Sequence, residues 1–289
     1  MTQSIYPARV IGDGEQALIN DTQGLFEELS NTGVIILRNC IRSVDEFGAF
    51  VKKHSSRLSL DPGREITQSG AQLVDAGTDA VGLHCENGNA PIWPDLTWFF
   101  CEIAPTKGSQ TTLCDGVSVY RDLSEQTRRH FENKRIRYRR TVPGEKWRKF
   151  VCHHNPQIQQ MDDARFEHLS EIIGEQSNTR MAYNPDTDCV TYAFCVRAYQ
   201  TSSFCNFPAF ANSMLGPSFN YEKPVIDFEN DEEISPDLWA EITHVTERHT
   251  HIVGWNDLDL VMIDNRRVMH GRNPIIDAQR RIYNALSYR

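Results

Sequence analysis

Gly82-Leu83-His84-Cys85-Glu86-Asn87 places a histidine and a carboxylate one residue apart. In an extended backbone, side chains two positions apart leave the chain on the same side. The His84 imidazole and the Glu86 carboxylate therefore converge, while Cys85 between them points away as packing. Taken alone, His-x-Glu also reads as a turn with a surface carboxylate and a partly buried histidine. A second neutral imidazole from far along the chain would complete a two-histidine, one-carboxylate face, which binds Fe(II) and leaves coordination positions open. The candidate is His270, in Asp264-Asn265-Arg266-Arg267-Val268-Met269-His270-Gly271-Arg272, which follows the apolar run Leu258–Ile263.

The chain around these residues has 289 residues, 39% of them hydrophobic and 24% charged, with a net charge of −9. That length suits one domain spanning 1–289, large enough to bury a core without staples. So acidic a balance argues against nucleic acid and anionic membrane as partners and leaves a small-molecule substrate as the expectation. Composition carries no signal for the oligomeric state. The first residues, Met1-Thr2-Gln3-Ser4-Ile5-Tyr6-Pro7, lack the basic and apolar regions of a signal peptide. No apolar run approaches a membrane span. The eight cysteines are dispersed with no C-x-x-C, so they are expected to be reduced and the protein cytoplasmic.

Local patterns predict many short strands with helices in the connections. Asp21 caps a helix that stops at Gly33, and Val34–Leu37 reads as a buried strand. Ser43 and Glu46 form a capping-box pattern before a helix with Phe47, Phe50 and Val51 on one face. Residues 59–82 are rich in Gly, Pro and Ser and read as a lid-like loop. Leu96–Ile103 and Thr111–Cys114 are strands, and a helix covers Ser124–Asn133. In the basic strand 134–142, Arg135, Arg137 and Arg139 alternate with Ile136 and Tyr138 and read as a solvated sheet face. Residues 143–175 look like a helical insertion, with a loop containing Trp147, His153 and His154 ahead of a helix. On a strand those two histidines point apart and do not share a metal. A hairpin follows at 180–194, and Ser235-Pro236 opens a helix. The last strands are 258–263 and 280–286. The fold expected is mainly β with flanking helices, a double-stranded β-helix or jelly roll, with the metal site at its mouth.

With His84, Glu86 and His270 placed, the chain resembles the taurine dioxygenase-like (TauD/TfdA) branch of the Fe(II)/2-oxoglutarate-dependent oxygenases, whose fold is cupin-like. The resemblance runs from about Val34 to the C-terminus. It rests on Leu83–Asn87, on Pro105–Gly116 with its Thr-Thr and closing Asp-Gly, and on Asp264–Arg272 with Arg280-Arg281-Ile282 downstream. It implies Fe(II), 2-oxoglutarate as co-substrate, and O2. It also implies that Thr111 assists in binding the co-substrate and that Arg281 clamps its distal carboxylate, a contact that a guanidinium fork makes bidentately. On that reading Arg281 points inward and Arg280 outward. Glu86 replaces the commoner Asp, as in some branches that include amino-acid hydroxylases. The presence of that carboxylate argues against the halogenase variant. Ala285 stands where taurine dioxygenase holds its sulfonate with an Arg, so taurine is not the expected substrate.

The reaction implied is oxidation of an unactivated C–H bond, hydroxylation first among the outcomes. The substrate implied is small and polar, amino-acid-like or carrier-bound. Arg272 and Arg197 are candidates for holding it, and Arg272 reads equally well as a structural residue paired with Asp264. Two histidines and a glutamate also fit a catalytic zinc, so a zinc-dependent hydrolase or isomerase is an alternative. A non-catalytic metal-binding jelly-roll protein is another.

Overall fold

The uninterrupted apolar runs become the middle strands of a large sheet, where both faces are covered and alternation is lost. A computed structural model describes residues 4–59, 67, 70–74, 77–174, 178–217 and 222–289. The large sheet orders β1 (Arg9–Gly12), β2 (Val34–Arg38), β15 (Asp259–Asp264), β6 (Leu96–Ile103), β17 (Arg281–Tyr288) and β3 (Arg57–Ser59), with β4 (Gln72–Leu73) also paired to β17. On one face Ile35, Trp98, Phe100 and Leu260 pack with Leu29 and Phe47 of the helices Thr22–Thr32 and Val44–Lys53. On the other face Ile36, Phe99, Val261 and Ile282 meet Leu113 and Val268 of a smaller sheet. That smaller sheet orders β14 (Thr250–Ile252), β7 (Thr111–Asp115), β16 (Val268–Arg272) and β5 (Val81–His84). Two facing, mostly antiparallel sheets around one apolar layer make the jelly roll.

A third sheet lies outside this pair, ordered β13 (Val225–Phe228), β8 (Ile136–Pro143), β10 (Cys189–Val196) and β9 (Thr179–Asn184). The short pair β11 (Tyr199–Gln200) and β12 (Ala209–Phe210) lies beside it. Ile136, Tyr138 and Phe194 of the third sheet share a second core with Cys114 and Met269, which project from the outer face of the small sheet. The third sheet is thus a cover over the strands that carry His84 and His270.

The helix caps follow the sequence. Asp21 accepts from Gln23 N, and the helix ends at Gly33 with φ 74°, the left-handed backbone that glycine adopts without a Cβ penalty. Ser43 accepts from Glu46 N, and Ser235 from Leu238 N ahead of Pro236.

One expectation changes. Residues Gly144–His154 are a helix, not a loop, with Trp147 and Val151 one turn apart on its buried face. His153 and His154 are therefore helical neighbours with ring centroids 4.9 Å apart, and no group able to hold a metal includes them among the described residues. The lid expected over 59–82 lies partly outside the described residues. Within its described part, Ala71 and Gln72 are buried. Gln72–Leu73 pairs with β17, and Val74 N donates to Ile282 O. No helix among the described residues is long and apolar enough to cross a membrane.

Candidate active site

Strand β16 sits between β7 and β5, and its register brings the distant halves of the site together. His270 pairs with His84 on one side and with Leu113 on the other. Paired residues of antiparallel strands share a face, and Leu113 belongs to the inner layer, so both imidazoles point between the sheets. Glu86 arrives from the turn just after β5. His84 Nε2 lies 3.9 Å and His270 Nε2 3.4 Å from Glu86 Oε1. All three ligand atoms fall within 4.8 Å of one another. Ligand atoms about 2.1 Å from one ion and at right angles would lie about 3 Å apart, so a small inward movement of each side chain would close the set on a metal. His84 Nδ1 lies 2.8 Å from Gly82 O. That contact holds the proton on Nδ1 and turns the Nε2 lone pair to the centre. The Phe99 ring meets the His270 ring edge-on at 5.2 Å, an apolar wall beside the ligands. Burial pushes the Glu86 carboxyl up, yet hydrogen bonding to His270 and His84 and their charge more than offset this and hold it well below the usual carboxylate range. The donor set thus fits a divalent transition metal.

Glu86 is held by its backbone. The fully buried Asn265 accepts from Glu86 N at 2.8 Å and donates back to Glu86 O at 3.0 Å. The same amide donates to Pro94 O at 2.9 Å. Cys85 points away as expected and is buried in the second core. Its carbonyl accepts from Ser213 Oγ. At Gly82 an added Cβ would run into Leu215 O, and at Gly216 into Gly82 O. The segment 215–217 therefore lies backbone to backbone against the carbonyl that orients His84.

Beside these three side chains is a cationic corner. Arg272 pairs with Thr111 across the strands, on the same face as His270. The Thr111 oxygen accepts from Trp255 Nε1 at 3.2 Å, which leaves its own O–H to donate. Arg272 is buried, and its Nη2 donates to the carbonyls of Gly77 at 3.1 Å and Asp79 at 2.8 Å. Its described partners are thus backbone carbonyls of the segment leading into β5, not Asp264.

The expected orientation of the arginine pair is reversed. Arg281 is on the outside, its side chain 52% exposed and paired with Glu102 at 3.0 Å. Arg280 points in, and its Nη2 is buried with no hydrogen-bond partner. Burial and the charge of Arg272 push the Arg280 guanidinium down to about 10. The parity of β17 fixes this: Ile282 faces the inner layer, so Arg280 two residues before it does too, and the bulge at this point lies in β6, where Glu102 is skipped between the partners of Arg281 and Ile282. By the same parity Ala285 packs with Trp98 on the helix side, while Asn284, four residues past Arg280, is buried opposite Phe99. Arg197 is exposed at the far end of β10, and its described contacts do not reach the site. Sequence reasoning assigned no part to Asn265 or to Arg280 facing inward. The signal for Arg280 was available in Ile282, whose apolar side chain marks the inward parity of the strand.

Compared with known proteins, residues 5–286 match the family described as taurine catabolism dioxygenase TauD, TfdA family. A clavaminate synthase-like protein of Arabidopsis thaliana is 20% identical over 224 residues, 71% of this chain and 64% of that protein. The chain thus spans less than two thirds of that relative's length. A solved taurine dioxygenase of Burkholderia xenovorans superposes with a TM-score of 0.61 at 11% identity, covering 99% of this chain and 88% of that one. PvcB, described as an Fe, alpha-ketoglutarate dependent oxygenase from an isonitrile synthetic pathway, does so with a TM-score of 0.55 at 14% identity, covering 98% and 82%. At these identities the likeness establishes a shared fold.

Proposed function

The chain belongs to the TauD, TfdA family of dioxygenases, and from that premise we propose that all of it forms one Fe(II)- and 2-oxoglutarate-dependent oxygenase domain that oxidises, in the first instance hydroxylates, an unactivated C–H bond of a small polar substrate. The observation that carries this reading is the convergence of His84, Glu86 and His270 within 4.8 Å beside a cationic corner. When bound, iron and 2-oxoglutarate together supply the O2 activation, with succinate and CO2 as by-products. The residues of the chain bind, orient and exclude water. His84, Glu86 and His270 would hold the metal through three positions and leave the remainder open. Arg280, with its unpartnered Nη2, takes the distal carboxylate of the co-substrate in the role expected of Arg281. The Thr111 hydroxyl and the Arg272 charge assist it. Phe99 and the inner layer keep the centre dry, which strengthens each charged contact.

A zinc hydrolase has no use for two inward arginines beside its metal, and no observation favours that alternative. The test is anaerobic calorimetry of the protein with Fe(II), then with 2-oxoglutarate, followed by an assay for succinate release in air. Binding of 2-oxoglutarate that needs the metal, together with succinate formation, is expected. Failure of 2-oxoglutarate to bind the metal-loaded protein would overturn the assignment.

A further inference from the structure

In β8 the alternation of apolar and basic residues breaks at Arg140. Ile136, Tyr138 and Val142 occupy the inner face of the third sheet, and Arg140 falls on that face between Tyr138 and Val142 by the period of two. A guanidinium in an apolar face has a cost unless it is partnered. Arg140 Nη1 donates to Tyr192 Oη at 3.2 Å and Nη2 to Pro217 O at 2.8 Å. Its Nε is buried and has no partner. A second unfinished group lies within range of its charge. Glu222 Oε1 pairs with Lys146 Nζ at 2.6 Å, while Oε2 is buried without a hydrogen bond. The Glu222 carboxylate senses the charge of Arg140, and Tyr192 senses both, yet Arg140 and Glu222 form no ion pair with each other.

This cluster adjoins the metal centre. Pro217 O, which Arg140 holds, also accepts from Asn89 Nδ2, three residues past Glu86. Gly216, the next residue back, packs on the Gly82 carbonyl that orients His84. Tyr138, on the same face of β8, accepts from Ser213 N, and Ser213 Oγ donates to Cys85 O. Leu83, Leu215 and Tyr192 pack on the same core.

We propose that Arg140, Tyr192 and Glu222 form the subsite for the polar end of the primary substrate, and that this end is the α-amino-acid group, its carboxylate on Arg140 and its ammonium on Glu222. The two groups are complementary to such an end. An orphaned N–H donor on a cation and an orphaned acceptor on an anion, near but not touching, are both satisfied by one ligand that carries an acceptor anion and a donor cation on adjacent atoms. Because β5 is the edge strand of the small sheet and Gly216 packs on it, the rest of such a ligand is left to extend around that edge toward the metal. This subsite rests on the oxygenase reading above, because its place beside β5 matters only if His84, Glu86 and His270 hold the reactive metal.

The experiment is binding of the twenty proteinogenic L-α-amino acids, with ornithine and citrulline, to the protein loaded with Mn(II) and 2-oxoglutarate. It is repeated with the methyl ester and the N-acetyl form of any that bind. At least one free amino acid is expected to bind, and to bind at least tenfold better than either blocked form. Arg140→Met should remove the preference over the ester, and Glu222→Gln the preference over the N-acetyl form, each with 2-oxoglutarate affinity unchanged. If Arg140→Met does not fold, Tyr192→Phe with Arg140→Lys is to show the same weakening. Binding of 2-oxoglutarate with no amino acid bound, or variants that keep both preferences, overturns the subsite and leaves the oxygenase reading standing. Absence of 2-oxoglutarate binding overturns that reading instead.

Discussion

Asn265 reaches no ligating atom and still positions one of the proposed ligands, because its side-chain amide brackets the backbone N–H and carbonyl of Glu86. Removing it leaves a buried N–H and a buried carbonyl unsatisfied, at about 1–3 kcal/mol each. Asn265→Ala is therefore expected to weaken metal binding about 10–100-fold, the usual range for groups that orient ligands, as read by anaerobic Fe(II) titration. Unchanged affinity would show that Glu86 finds its position without the clamp. His270→Ala removes one of the three proposed ligands and should abolish turnover. On the co-substrate side, losing one partner of a buried charged pair costs about 2–5 kcal/mol, so Arg280→Ala should raise the 2-oxoglutarate requirement about thirtyfold or more. Arg281→Ala should change it little, because that side chain pairs with Glu102 in solvent. Equal effects of the two substitutions would return the clamp to Arg281. Sequence spacing alone pointed to Arg281, since a count of residues from His270 does not register which face of the strand a side chain takes.

At the scale of elements, the site depends on β5 and β16 lying close enough for His84 and His270 to share a centre. Gly271 permits this, because a Cβ there would sit 2.6 Å from Val81 O and 2.8 Å from Thr112 Oγ1. Gly271→Ala has to push β5 or β7 away. The expected result is a loss of about 1–3 kcal/mol in stability, with weaker metal binding because the two imidazoles no longer share a face at the right separation. Gly12→Ala is the control, since nothing lies within 4 Å of its added Cβ, and its effect should stay within about 0.5 kcal/mol. Denaturant unfolding of both variants, with and without Mn(II), reads the difference. Loss of stability with metal affinity intact in Gly271→Ala would separate strand spacing from ligand geometry.

For the whole molecule, one buried histidine remote from the metal sets part of the acid response. His54 is 1% exposed, with Nδ1 2.8 Å from Thr22 Oγ1 and its ring against Phe50. Burial, and then the charge of Lys53, push it down to about 4 from an ordinary 6.5. The unfolded chain therefore binds a proton between these values that the folded chain refuses. Stability rises with pH across that window and is lost as pH falls through it, by about 3 kcal/mol in total. His54→Gln, measured by urea unfolding of metal-free protein, should flatten the dependence between pH 6.5 and 4. A slope equal to that of the unsubstituted protein would place the acid response elsewhere.

The sequence by itself determined the strands of the core, the helix caps and the three metal-ligand candidates. Apolar runs, the Asp21, Ser43 and Ser235 caps and the His84–Glu86 spacing are local signals, and the physics that reads them acts over a few residues. Only the tertiary structure decided which face of β17 turns toward the small sheet, because both faces of that strand are packed. It also decided what holds Glu86, since Asn265 reaches it across 179 positions of sequence. Arg140 stands between the two cases. Its break in alternation is written in the strand, but the carboxylate of Glu222 and the carbonyl of Pro217 come to it only when the third sheet folds over the metal-binding strands. No local pattern encodes a meeting whose members are brought together by long-range pairing.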